Sequence, residues 1–242
     1  MKFIAHRGAS LICQEDTLKS LNKGAELGAY AVECDLRLTK DDVFVFFHDD
    51  DLKRLANDQR LIKDITYAEM KEALEKAGLE LTTLQELTEG YNGNSYVLFD
   101  SANCSSSKSS AKKYNIDDSF LKMVKKLPFK VILGVHDVTE AENASKYFPH
   151  EQILAFMKDK NKYEEYYKAG AGNIRLWENW LCDIKPMDIK AKCPNAEVWI
   201  MSNDSKTGMN GNINSLEFFT KSGVDGVLLN DIQLATYWQK TV

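Results

Sequence analysis

Long apolar runs are missing from this chain. Stretches such as "VFVFF" and "VILGV" are among the longest it offers, far below the roughly 20 residues a membrane-crossing helix needs. Basic charge is also short: 31 Lys and Arg stand against 36 Asp and Glu, for a net charge of −5. A nucleic-acid partner is therefore not expected, because a phosphate backbone calls for a basic surface. Cysteine pairing is absent too. Cys13, Cys34, Cys104, Cys182 and Cys193 are an odd set without CxxC spacing, which argues against a disulfide framework or a zinc site and for reduced thiols. Met1 runs directly into "KFIA", with no basic segment, apolar stretch or cleavage site of a leader peptide. The expectation is a cytoplasmic protein, in which the sequons at Asn103, Asn143 and Asn203 carry no meaning.

What is present is the composition of a chain with a substantial core, 44% hydrophobic and 28% charged over 242 residues. Short β-branched runs recur at 3–5, 30–35, 43–47, 96–100, 130–134, 152–156, 173–176, 197–201 and 225–229. Most are followed by helix-like segments. "QEDTLKSLNKGAELG" spaces Leu18, Leu21 and Ala25 helically, with Asp16 or Thr17 as N-cap. "NKYEEYYKAG" and "NSLEFFTKSG" end in glycine, a common helix stop. This alternation predicts a parallel sheet covered by helices, and 242 residues suit a single α/β barrel. Nine strand candidates are one too many for it. The link between Asp35 and Val43 is shorter than the dozen or so residues a parallel crossover requires. "LRLT" and "VFVFF" are thus expected as an antiparallel hairpin in a small insertion, about residues 36–80, with "TTLQELTEGY" as the helix completing the second βα unit. The predicted fold is a TIM (β/α)8 barrel with a hairpin-containing insertion after its second strand.

Active sites of such barrels lie at the carboxyl ends of the strands. His6 and Arg7 follow the first strand, Glu33 and Asp35 close the second, and Asp100 ends the third. With a period of two, Glu33 and Asp35 point one way and Cys34 the other. An all-oxygen set of this kind suits Mg²⁺ or Ca²⁺ rather than zinc. A cation there can neutralise a phosphoryl oxygen and acidify a hydroxyl or water. Arg7 can clamp a further phosphate oxygen, and His6 and His48 can share proton transfer near neutral pH. Each element alone has a plainer reading: a structural histidine at a strand end, a salt-bridged Glu33–Asp35 pair, a polar strand terminus at Asp100. Their joint spacing is what points to phosphodiester chemistry.

The segments "HRGAS…QEDTL…GAYAVECDLRLTKDD…FHDDDLKR" closely resemble the glycerophosphodiester phosphodiesterases, whose pattern runs HRG, PENT, E-x-D, T-K-D-G and H-D. "LTTLQEL", "VWIMSN" and "GVDGVLL" resemble later family segments, so the likeness spans nearly the whole chain and is loose between about 101 and 190. It implies a TIM barrel with a small insertion after the second strand. It further implies hydrolysis of glycerophosphodiesters to glycerol 3-phosphate and an alcohol, with one divalent cation. His6 and His48 would be acid and base, Arg7 a phosphate clamp, Glu33 and Asp35 metal ligands. Glu15 matches a family carboxylate near the site, and Trp199 an aromatic wall beside the substrate, though by its place on a strand Trp199 reads as a packing residue that also faces the pocket.

The chain also departs from that pattern. Where the family carries E-x-K on the third strand, this sequence has Asp100 and Ala102, a shorter carboxylate and no lysine. Lys108 and Arg175 are the cations available to replace it. "QEDT" stands for PENT, "TKDD" lacks the turn glycine, and "GVLLND" lacks T-D-x-P. Two rivals follow: a barrel that only binds a phosphodiester or other anion, and a phosphodiesterase shifted to lysophospholipids, which would need a greasy groove near Leu11, Ile12 and Trp177. Glu15 fits either a site carboxylate or a helix cap, and Asp49 can orient His48. Trp177, Glu178 and Trp180 are expected to pack a loop, His136 to be a solvated loop histidine by the pocket mouth, and His150 to lie at the far end.

Overall fold

The computed structural model describes residues 1–100, 116–202 and 211–241. Its strands in chain order are β1 (Lys2–Ala5), β2 (Ala31–Leu38), β3 (Phe44–Phe46), β4 (Asp51–Leu52), β5 (Asp58–Leu61), β6 (Thr82–Thr83), β7 (Tyr96–Asp100), β8 (Val131–Val135), β9 (Ile153–Phe156), β10 (Asn173–Trp177), β11 (Glu197–Met201) and β12 (Gly226–Leu229). Eight of these, β1, β2 and β7 to β12, pair in parallel with their neighbours, and β1 meets both β12 and β2, which closes the sheet. The expected (β/α)8 barrel is the fold.

Strand alternation divides the apolar residues into two cores. Ile4, Ala31, Leu98, Ile132, Leu154, Phe156, Trp199, Met201 and Leu228 fill the barrel. The intervening positions, such as Val32, Cys34, Val97, Ile174, Val198 and Val227, belong to a larger outer layer between sheet and helices. That layer is completed by helices α1 (Leu18–Glu26), α4 (Leu84–Gly90), α6 (Val138–Ser145), α9 (Ile213–Lys221) and others like them. Local chemistry starts them: Thr17 caps α1 by accepting from Ser20 N–H, and Thr83 and Glu86 form a reciprocal capping box on α4. Of the two N-cap candidates for α1 the cap is Thr17, which leaves Asp16 for another role.

The insertion follows β2 as predicted, with one refinement. The hairpin does not begin after the barrel strand but is its direct continuation. Residues 31–35 of β2 run parallel to β7, while Leu36, Arg37 and Leu38 pair antiparallel with Phe46, Val45 and Phe44. Asp42 supplies the turn, with φ at 63°, a conformation aspartate tolerates better than most residues. Val45, Phe47, Leu52, Ile62, Ile65, Met70 and Leu74 give the insertion a small core of its own, packed partly by α2 (Lys53–Ala56) and α3 (Tyr67–Lys76). Cys13, Cys34, Cys182 and Cys193 are free thiols, as expected. No helix among the described residues is long and apolar enough to cross a membrane.

Candidate functional site

The "HRG" turn is fixed by sterics. Arg7 and Gly8 both take positive φ, 56° and 74°. A Cβ on Gly8 would lie 2.0 Å from Ser20 Oγ, so only glycine lets β1 turn this closely over α1. The turn aims Arg7 N–H at Glu33 Oε2, 2.8 Å away. It also brings the Arg7 side chain between Glu15 (Nη1 to Oε1, 3.2 Å) and Asp35 (Nε to Oδ2, 3.3 Å).

Glu33, Asp35 and Asp100 come from neighbouring strands, with Asp35 and Asp100 in register. Each offers one carboxylate oxygen, and these oxygens lie within 4.8 Å of one another. Burial, followed by the charges of Asp35, Asp16 and Asp100, pushes Glu33 well above the usual carboxylate range. Burial and Asp100 raise Asp35 to about 6, against the pull of His48, Arg7 and Arg37. Asp35 Oδ2 is buried with no hydrogen-bond partner among the described residues, only the ion-pair approach of Arg7 Nε. Crowded, desolvated carboxylate oxygens are the donor set that a hard divalent cation satisfies, so these residues fit such an ion.

His6 is buried beside this cluster. Its Nδ1 meets Asn230 Oδ1 at 2.8 Å, and Nε2 lies 4.0 Å from Glu33 Oε2. Burial, helped by the charge of Arg7, lowers it to about 3 despite the bond to Asn230. It is therefore neutral at physiological pH, with Nδ1 donating to the amide oxygen and Nε2 as the basic nitrogen. His48 sits on the insertion and is more open, its Nδ1 2.8 Å from Asp49 Oδ1. Arg54 joins Asp49 to Glu15, and Glu15 lies between Arg54 and Arg7. Burial opposes ionisation of Glu15, but the bonds and charge of Arg54 and the charge of Arg7 outweigh it and hold the carboxyl low. Glu15 is thus a bridge between the barrel mouth and the insertion, not a helix cap.

Trp199 is a packing residue, placed away from the mouth. It is fully buried in the barrel, its Nε1 donates to Glu197 at the opening of β11, and it contacts Tyr30, Lys2 and Gly226. The indole turns toward the amino ends of the strands, away from the mouth, and packs the barrel floor instead of walling a substrate. Ala102 and Lys108 lie outside the described residues.

Several residues at the mouth were passed over by sequence reasoning. His136 is not a solvated loop residue: Nε2 lies 2.8 Å from Asp100 Oδ1, and the ring stacks on Phe156 at 5.2 Å. Its backbone is pinned by Glu140 and Tyr166. Asp16, with φ at 57°, accepts from Asp35 N–H and buries its other oxygen without a partner. Burial and the charge of Asp35 hold it well above the ordinary range. Arg37 binds the carbonyls of Phe47 and His48 and the Asp50 carboxylate, tying the His48 loop to the strand that carries Glu33 and Asp35. Asn230 completes the set, together with Arg175, which the sequence had already offered as a replacement for the missing lysine. For Arg37 a signal was also available: Glu33, Asp35 and Arg37 share one strand face by their spacing.

The strand ends of a closed α/β barrel thus gather an acidic cluster, an arginine and a buried histidine, the make-up of a binding or catalytic site. Residues 6–234 match the model of the glycerophosphoryl diester phosphodiesterase family, and the chain belongs to that family. A curated glycerophosphodiester phosphodiesterase of Caldanaerobacter subterraneus subsp. tengcongensis is 25% identical over 238 residues, covering 94% of this chain and 93% of the relative. Among solved structures, the glycerophosphodiester phosphodiesterase of Thermotoga maritima aligns with a TM-score of 0.70 at 21% identity over 97% of this chain and 96% of that one. A phosphodiesterase of Oleispira antarctica, solved in complex with the product sn-glycerol-3-phosphate, gives 0.71 at 20% over 99% and 97%. At these identities the structural likeness carries the fold.

Proposed function

We propose that this protein is a cytoplasmic, cation-dependent phosphodiesterase that hydrolyses glycerophosphodiesters to glycerol 3-phosphate and an alcohol. The observation that carries the reading is the meeting of Arg7, Glu33, Asp35, Asp100 and a neutral His6 at one strand-end mouth in a member of this family. Glu33, Asp35 and Asp100 would hold Mg²⁺ or Ca²⁺. A cation bound there supplies charge neutralisation at a phosphoryl oxygen and favours ionisation of the attacking hydroxyl.

The chain's own groups then divide the remaining work. Arg7, held by Glu15 and Asp35, presents a fixed cation to a non-bridging oxygen. His6 Nε2, its tautomer set by Asn230, takes the proton of the attacking water, or of the glycerol hydroxyl, in which case a cyclic phosphate forms first and water then opens it to glycerol 3-phosphate. His48, its ring oriented by Asp49 at Nδ1, delivers a proton to the departing alkoxide. Arg37 fixes the backbone on which His48 rides.

One observation favours a second reading. Leu11 and Ile12 are 62% and 49% exposed and lie beside Asn230 at the rim, where an acyl chain could rest. The substrate would then be a lysophospholipid. The test couples glycerol 3-phosphate release from glycerophosphocholine to a dehydrogenase, with Mg²⁺, Ca²⁺ or EDTA, and runs lysophosphatidylcholine in parallel with choline release as its readout. Cation-dependent release that is abolished in a folded His6→Ala variant is the expected result. Release that survives EDTA, or survives His6→Ala, overturns the mechanism. Turnover of the lysophospholipid alone selects the second reading.

A further inference from the structure

Arg175 lies on β10, between Phe156 of β9 and Trp199 of β11 in the parallel register. Ile174 and Leu176 on either side of it face the helices, so Arg175 points into the barrel. It is 5% exposed, and Nε and Nη1 are buried with no hydrogen-bond partner among the described residues. Its neighbours are the rings of Phe156 at 4.9 Å and Trp177 at 4.1 Å. They hold the guanidinium by cation–π attraction but accept none of its N–H groups. Burial lowers it to about 10, with the charge of Asp100 opposing.

Arg37 shows what a structural arginine looks like in this same protein. At 6% exposure it has an acceptor for its Nε, its Nη1 and its Nη2: two carbonyls and a carboxylate. Arg175 is as deeply buried and lacks acceptors at two of its nitrogens. Leaving buried donors of a charged group unmet is costly, and the natural remedy is an anion brought from outside. Phe156 carries Arg175 on one contact and His136 on another, and His136 holds Asp100. The charge of Asp100 reaches Arg175, and Trp177, the last residue of β10, lies over the guanidinium, so the orphaned donors stand on the mouth side of the barrel.

We propose that Arg175 is a second oxygen clamp on the substrate's phosphoryl group, so that the group is held between two guanidinium ions, Arg7 from β1 and Arg175 from β10. The inference rests on the phosphodiesterase reading for the identity of the ligand, but not for the existence of the anion site. The clamp grips a doubly charged phosphomonoester more tightly than a singly charged diester, so it acts most strongly on the product glycerol 3-phosphate.

The test measures binding of inorganic phosphate and glycerol 3-phosphate by calorimetry, in Mg²⁺ and again in EDTA, for wild type, Arg175→Met and Arg175→Lys. Arg175→Met should weaken both ligands at least tenfold and relieve product inhibition, while its Tm stays level or rises because an unpaired buried charge is gone. Arg175→Lys should recover part of the affinity and guards against a misfolded Met variant. Unchanged affinity in both variants overturns the proposal, as does a wild type that binds neither anion. Loss of anion binding in Arg175→Met together with a wild type that cleaves no diester upholds the clamp and rejects the hydrolytic reading.

Discussion

Divalent-cation binding to this protein should weaken steeply as the solution is acidified, with Asp35 setting the slope. In the metal-free protein, burial and the nearby Asp100 move this carboxyl from its usual 3.8 to about 6. A raised carboxyl favours the fold below its unfolded value, and that contribution is lost as pH rises through the folded one. Over the whole titration the loss amounts to about 3 kcal/mol from Asp35, most of it between pH 4 and 7. A cation relieves this repulsion, but at pH 5 it must displace a proton held at about 6. That costs about 1.4 kcal/mol, a tenfold drop in affinity relative to pH 7.5. Glu33, raised by the same causes, steepens the effect. His6 runs the other way: its value near 3 gives stability that is present above 6.5 and lost as pH falls toward 3. The difference in Tm between cation and EDTA largely cancels this term. Thermal unfolding at pH 5 and 7.5, with and without Mg²⁺ or Ca²⁺, checks the expectation. Equal cation-induced increments at both pH values, or none at either, would refute it.

Two further outcomes follow from residues the site reading reassigned. Asp16→Asn keeps an oxygen to accept from Asp35 N–H while removing a buried carboxylate beside Asp35; the metal-free protein should gain about 1–3 kcal/mol in denaturant unfolding near pH 8, and a loss would show that Asp16 is already compensated. Trp199→Phe should cost roughly 2 kcal/mol through an unfilled barrel floor and an unpaired Glu197, with KM for a glycerophosphodiester unmoved. A raised KM at intact stability would restore the indole to the substrate's wall.

The barrel, the hairpin and the Glu33–Asp35 pair were legible because each depends on local rules: strand spacing, the minimum length of a parallel crossover, and a side-chain period of two. Asp100 was legible as a strand end. What stayed hidden depends on partners far away in sequence. His136 and Asp100 are 36 positions apart, and His6 and Asn230 are 224 apart. Nothing in "GVHDV" distinguishes a histidine stacked on Phe156 from one in solvent. Trp199 misled for a related reason. Alternation told which face of β11 it occupies, but the choice between the floor and the mouth rests on its rotamer, which Gly226 and Glu197 decide.

The double membership of β2 has a consequence for how this protein tolerates change. One unbroken strand presents Glu33 and Asp35 to the barrel and then uses Arg37 to hold the backbone of His48. A single residue inserted between Asp35 and Arg37 would turn Arg37 to the opposite face of the ribbon. The proposed metal ligands would keep their register with β7 while the proposed proton donor lost its mooring. The two halves of the chemistry are phase-locked along eight residues, so the insertion's outer turns are free to drift in length while the strand itself cannot gain or lose a residue.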